Sequence, residues 1–356
     1  MWTQTSVTQA LHLEVPILQA GMAGGSTTPE LIAAVSNAGG LGTLGAGYMT
    51  PEQMRGAIRA IRQLTDRPFA VNLFVNQIPT PDTEQVATIQ NIMSKHRQEL
   101  GIPEPQLPSK YAEAYQDQLR VVIEENVPVF SFTFGIPSRE EMDALKQRGI
   151  VTCGTATTVR EAIVLEEHGV DLIVGQGSEG GGHRGTFLSS AEQALIGTMA
   201  LIPQIVDRVS VPVIAAGGIM DGRGIAAALS LGADAVQLGT AFLTCSESGA
   251  HAQFKEAVRN STDESTALTR AFSGKYARGI RNTFLSELAA HDADIPEYPI
   301  QNALTRDIRQ AAAQQNNPAY MSLWAGQAAA LSQSIGASDL MRKLVAQTNE
   351  AMRRFS

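Results

Sequence analysis

Short, wholly apolar runs alternate along this chain with stretches in which apolar residues recur every three or four positions. That is the pattern of parallel strands buried on both faces and separated by amphipathic helices. Eight runs read as strands, at residues 16–22, 41–47, 68–75, 127–135, 149–155, 170–177, 212–219 and 235–243. Thr28 followed by Pro29 opens a helix that Gly39 and Gly40 stop after Asn37. Thr50 and Pro51 repeat that opening, and Ile58, Ile61 and Leu64 share one face of the helix that follows. Ser138 and Asp221 start two more, the second ending at Leu231 and Gly232. Eight strand–helix units closing on themselves predict an α/β fold, a TIM (β/α)8 barrel. An open doubly wound sheet would need a reversal of strand order, for which the motifs offer no sign.

Two segments break the repeat. Residues 76–108 stand between the third strand and its helix, with prolines at 79, 81, 103, 105 and 108 bracketing a helical run, and read as an excursion over the catalytic face. Residues 246–318 are polar and helical, with Arg270, Lys275, Arg278 and Arg281 close together. The expected organisation is a barrel over residues 1–245, completed by the helix-rich 319–356, and a smaller, mainly helical subdomain over 246–318 beside its mouth.

Composition narrows the function classes. The 356 residues are 44% hydrophobic, enough for a substantial core, and the net charge of −8 argues against nucleic acid or an acidic membrane as partner. The two cysteines, Cys153 and Cys245, form neither a disulfide framework nor a metal-ligand spacing and read as inert buried thiols. The first residues lack the basic and apolar regions of a signal peptide, and no apolar run approaches a membrane span, so a cytoplasmic protein is expected. The oligomeric state is left open, a homo-oligomer included.

In a barrel, chemistry collects where strands end. The sixth strand runs into Gln176 and then into five glycines, His183 and Arg184 within ten residues. Such a loop lets a ligand lie against the main chain and offers a group that titrates near neutrality. The seventh strand ends at Gly217 and Gly218, the eighth carries Gln237, Leu238, Gly239 and Thr240, and the loops after strands seven and eight are where barrels commonly bind phosphate. No G-x-G-x-x-G opens a βαβ unit with an acidic residue about 20 positions on, so a mononucleotide such as FMN fits better than a dinucleotide. Its phosphate would lie at the last two strands and its ring over the mouth, within reach of the amides of Asn72 and Gln176. His183 is the candidate catalytic residue. The other five histidines, His12, His96, His168, His251 and His291, read as surface groups. No Asp or Cys follows His183 at the spacing of a metal site or triad, so no metal is expected. Arg184 is equally suited to an anion or to a neighbouring carboxylate.

Together these motifs resemble the nitronate monooxygenases, formerly 2-nitropropane dioxygenases, most closely the bacterial class I type. The resemblance runs through residues 19–25, 36–42, the His183 loop, 215–224, 237–242, 269–275 and 323–327. Gly21 stands where the family commonly has proline. The resemblance implies FMN-dependent oxidation of alkyl nitronates, such as propionate 3-nitronate, by O2 to a carbonyl compound and nitrite, without a nicotinamide. By position, FMN would contact Asn72, Gln176, Gly181, Gly218, Gln237, Leu238, Gly239 and Thr240, and His183 would be the catalytic histidine. The main alternative is an NADH-dependent FMN reductase of enoyl-acyl carrier protein or quinone on the same barrel, and behind it a non-catalytic flavin-binding protein. A dehydrogenase of the inosine-monophosphate type would need a nucleophilic cysteine after the sixth strand, and none is present.

Overall fold

The computed structural model of the chain describes residues 2–75 and 77–354; Met1, Asn76, Phe355 and Ser356, at the edges of segments delimited above, lie outside them. Each of the eight apolar runs contains a strand. They are β1 (Ile17–Gln19), β2 (Gly42–Gly45), β3 (Phe69–Phe74), β4 (Val129–Thr133), β5 (Val151–Ala156), β6 (Leu172–Gln176), β8 (Val213–Ala216) and β9 (Ala235–Leu238), with the two-residue β7 (Gly182–His183) between β6 and β8. The eight long runs pair in parallel in the order β1-β9-β8-β6-β5-β4-β3-β2. The ends of that order meet: Leu18 bridges Leu41, the Gln19 amide donates to the Leu41 carbonyl at 2.9 Å and Leu41 donates to Ile17 at 3.1 Å. The sheet is therefore a closed barrel, which leaves no unpaired edge.

The seam between β1 and β2 is completed by a side chain. Gln19 is wholly buried; its Oε1 accepts from the Thr43 amide at 3.0 Å and its Nε2 donates to the Thr43 carbonyl at 3.3 Å. A carboxamide carries the same donor and acceptor as a peptide unit, so it can stand in for a missing ladder rung.

The barrel interior is filled rather than hollow. Leu18, Leu41, Val129, Cys153, Leu172, Val174 and Ile214 pack inside it, and Val7 and Leu11 of the helix Ser6–Leu11 join the same cluster. A second, larger layer lies between strands and surrounding helices, where Ile32, Ile58, Leu145, Leu165, Ile202 and Ile225 are among the residues that meet the outward faces of the strands. Each such side chain contributes on the order of 1.5–3 kcal/mol on burial. The last helix, Ala337–Arg353, packs against Gly222–Ser230 and Pro29–Asn37 and so belongs to this layer.

A separate apolar core sits beside the barrel mouth. Val86, Ile89 and Met93 of the helix Thr83–Leu100 join Phe254, Phe272, Phe284, Ile300, Ile308, Tyr320 and Leu323 there. The segment following β3 thus anchors the second core to the barrel. Here His96 is fully buried between Phe284 and Tyr320, which corrects the surface position expected from the sequence. The eighth strand is also shorter than its apolar run: Gly239 ends it, and Thr240–Leu243 form a helical turn. Beside the helices, β10 (Thr266–Thr269) and β11 (Ala277–Ile280) form an antiparallel pair, and β11 pairs in turn with β7 through Ala277–His183 and Arg278–Gly182. The loop carrying His183 is thereby one strand of a sheet shared with residues 266–280. Among the described residues, no helix is long and apolar enough to cross a membrane.

Candidate active site

A cavity of about 810 Å3 lies at the C-terminal mouth of the barrel, between the strand ends and the second core. Asn72, Gln176, Gly181, His183, Gly218, Gln237, Gly239 and Thr240 all line it; Leu238 does not, because its side chain points into the packed layer behind the strand. The fold therefore brings together residues from β3, β6, the loop after β8, and β9.

His183 is half-buried and walled by rings: Phe134 at 5.5 Å, Trp324 at 5.6 Å, Tyr298 at 5.8 Å and Phe74 at 6.2 Å between centroids. Its Nε2 lies 2.8 Å from Ser273 Oγ. Burial, and then the positive charges of Lys275 and Arg309, push its pKa down to about 3, so the imidazole is neutral at physiological pH. Lys275 Nζ sits 4.7 Å over the Phe134 ring and donates to the Thr186 carbonyl at 3.1 Å. Phe134 itself holds φ at 79°, a left-handed conformation rare for an aromatic residue, and stacks on Phe74 at 4.6 Å.

The loop is held by Gln176 and Arg184. Gln176 Nε2 donates to the His183 carbonyl at 3.0 Å, and its Oε1 accepts from Gly185 N at 2.9 Å and from Arg184 Nη1 at 3.1 Å. One Nε2 hydrogen remains for the cavity. Arg184 is fully buried and, among the described residues, pairs with no carboxylate: it donates to the carbonyls of Gly177 at 2.6 Å, Gln176 at 3.0 Å and Ala194 at 3.0 Å. Burial lowers its pKa to about 10, which leaves it charged. Its task is to pin both ends of the glycine segment. Glu161, also buried, accepts from the Phe187 and Leu188 amides and from Thr186 Oγ1 at 2.6, 2.9 and 2.8 Å, fixing the loop's far end.

On the other side of the cavity stand the glycine turns. Gly218 holds φ at 72°, and a Cβ on Gly181 would lie 2.5 Å from the Gly326 nitrogen, so neither position accepts a side chain without displacement. Thr240 Oγ1 accepts from the Gly326 amide at 3.0 Å, joining the end of β9 to the segment that carries Trp324. The Gln237 carboxamide and Asn72 Oδ1 make no protein hydrogen bond among the described residues, while Asn72 Nδ2 donates to Ser131 Oγ at 3.0 Å. Polar groups of this kind beside glycine turns suit a planar heterocycle with a phosphate tail.

Several wall residues carried little signal in the sequence. Tyr298 is far in sequence from any strand, Arg309 lies mid-helix, and Ser273 was visible only as part of a motif. Arg270, Lys275 and Arg278, conspicuous as a basic cluster, donate largely to carbonyl oxygens and tie together the region beside the barrel mouth: Arg270 to Gly274, Asp292 and Ile295, Arg278 to Ser178.

A neutral histidine in an aromatic-walled cavity at the mouth of a (β/α)8 barrel defines an enzyme. Its family follows from comparison with known proteins. The model of the nitronate monooxygenase family matches residues 5–347, and the chain belongs to that family of oxidoreductases. A Staphylococcus saprophyticus protein named "Probable nitronate monooxygenase" is 48% identical over 356 residues, covering 99% of this chain and 100% of that protein. A Staphylococcus aureus protein of the same name is 46% identical over 353 residues, with 99% of each covered. Among solved structures, nitroalkane oxidase from Streptomyces ansochromogenes superposes with a TM-score of 0.91 at 41% identity, covering 98% of this chain and 99% of that one. FabK from Thermotoga maritima gives 0.79 at 32% identity, with 99% and 98% covered.

Proposed function

We propose that this protein is an FMN-dependent nitronate monooxygenase that oxidises small alkyl nitronates, propionate 3-nitronate among them, with O2 to a carbonyl compound and nitrite. The observation that carries the reading is the placement of neutral His183 across one cavity from Gly218, Gln237 and Thr240. FMN would be held by Gly181, Gly218, Gly239 and Thr240 at its phosphate end and by Asn72, Gln176 and Gln237 along its ring; the unpartnered Gln237 amide and the left-handed Gly218 fit that assignment. Bound there, FMN supplies the electron acceptor and the reaction with oxygen.

The chain's own residues do the rest. Neutral His183 offers a lone pair that removes the α-proton of a neutral nitroalkane; toward a nitronate already formed its one donor is the N–H that it also shares with Ser273. Phe74, Phe134, Tyr298 and Trp324 exclude water and keep the imidazole uncharged. The reading also takes the protein as cytoplasmic.

The test is oxygen uptake with propionate 3-nitronate, with and without NADH. Uptake and nitrite release that are independent of NADH are expected. Rapid anaerobic bleaching of the flavin by NADH, with no response to nitronate, would replace this assignment with the NADH-dependent reductase, whose glycine loops would be the same.

A further inference from the structure

Four neighbouring strands bring uncharged polar side chains to the cavity: Asn72 on β3, Ser131 and Thr133 on β4, Thr155 on β5 and Gln176 on β6. Gln176 is engaged by the His183 loop, whereas Asn72 has one end held and one end open. Ser131 is the register partner of Asn72 across β3 and β4, and both residues are buried. Asn72 Nδ2 donates to Ser131 Oγ at 3.0 Å and reaches Thr133 Oγ1 at 3.5 Å, which in turn lies 3.5 Å from Thr155 Oγ1.

A primary amide carries two donor hydrogens at its nitrogen and only acceptor capacity at its oxygen. Two hydroxyl oxygens on β4 take the donor end, so Oδ1 is the atom left to face the cavity. The flank of the side chain is closed as well. A Cβ on Gly21, in the turn after β1, would lie 2.7 Å from Asn72 Cβ and 3.3 Å from its Cγ. That turn therefore packs against the asparagine and leaves its side chain little room to move aside. None of these contacts needs a ligand, so the amide is oriented before one arrives.

We propose that Ser131 is a positioning residue for the flavin site: it holds the nitrogen end of the Asn72 carboxamide and so keeps Oδ1 turned to the cavity, as an acceptor for a ring N–H of FMN. This rests on the FMN reading above and adds the residue that sets one of its contacts. Without the Ser131 oxygen the carboxamide is free to turn its own N–H groups toward the ring. A donor then faces a donor, and the lost bond is worth roughly three- to tenfold in affinity.

The test titrates FMN into flavin-free wild type, Ser131→Ala, Asn72→Ala and the double variant, following the quenching of flavin fluorescence, with thermal melting of each protein to establish that it is folded. Ser131→Ala should bind FMN roughly three- to tenfold more weakly than wild type. The double variant should bind it no more weakly than Asn72→Ala alone, because the hydroxyl acts only through the carboxamide. A role in the fold alone would instead cost the same affinity whether or not the carboxamide is present. Wild-type affinity in Ser131→Ala, or losses that add in the double variant, overturn the positioning role and leave the FMN assignment standing. Should Ser131→Ala not fold, Ser131→Cys, close to serine in shape but a far weaker acceptor, takes its place in the same cycle. A wild type that takes up no FMN overturns the cofactor assignment and the positioning role together.

Discussion

The Nε2 atom of His183 and the hydroxyl oxygen of Ser273 are 2.8 Å apart, and the same hydroxyl lies 3.0 Å from the carbonyl oxygen of Lys275. A carbonyl only accepts, so the serine hydrogen goes to Lys275 and the histidine supplies the hydrogen of the other bond. His183 is thereby held as the Nε2–H tautomer with its lone pair on Nδ1, and a residue ninety positions downstream decides which nitrogen is the base.

Ser273→Ala releases that choice. The variant is expected to lose roughly tenfold in kcat/KM, the worth of one well-placed hydrogen bond to a reacting group. The loss should be larger with neutral 1-nitropropane, whose α-proton must be removed, than with a preformed nitronate. Equal losses in oxygen-uptake assays on the two substrates would contradict a tautomer-setting role.

Because the folded-state pKa of His183 is about 3 and its unfolded value is near 6.5, the imidazole stays neutral across the working range. The pH profile of kcat/KM for propionate 3-nitronate should therefore show no limb between pH 5 and 8 that His183→Asn removes, although that variant should retain flavin and lose most of its activity. Stability follows the same shift. Between about pH 6.5 and 3 the unfolded chain binds a proton that the folded site refuses, so stability falls as pH falls through that window. Thermal melting from pH 7 to 4 should decline less steeply in His183→Asn than in wild type.

Gly218→Val places a branched side chain at φ 72°, its Cβ 3.3 Å from that of Glu179, on the wall assigned to the phosphate. The purified variant should be colourless. A yellow protein with a full flavin absorbance ratio would refute the placement.

Removing the buried guanidinium of Arg184 strips donors from the carbonyls of Gln176, Gly177 and Ala194 at once. Arg184→Met should cost about 3 kcal/mol or more, read as a lowered denaturant midpoint. An unchanged midpoint would show that solvent reaches those carbonyls, contrary to their burial.

The barrel was legible because strands covered on both faces leave uninterrupted apolar runs, and all eight runs contain a strand. The same rule overran at its end: Ala241, Phe242 and Leu243 are as buried as a strand would make them, yet they form a helical turn, and hydrophobicity alone does not separate the two. Strands β7, β10 and β11 are only two to four residues long and draw on partners distant in sequence, so no local periodicity marks them. His183 was legible from its loop. Ser273, Tyr298 and Arg309 act through spatial neighbours, and a tyrosine or arginine in a polar helical stretch looks the same whether it faces water or a cavity. His96 illustrates the converse, a polar residue that the second core covers.

The pairing of Ala277 with His183 carries a mechanical consequence. The layer that roofs the cavity and the strand that bears the imidazole are one hydrogen-bonded sheet, so the roof is not free to swing as an independent lid. Lifting it either drags the histidine away from the strand ends or tears the ladder that orients it. Admission of substrate and alignment of the base thus share a single coordinate, and an opened mouth is a disarmed one.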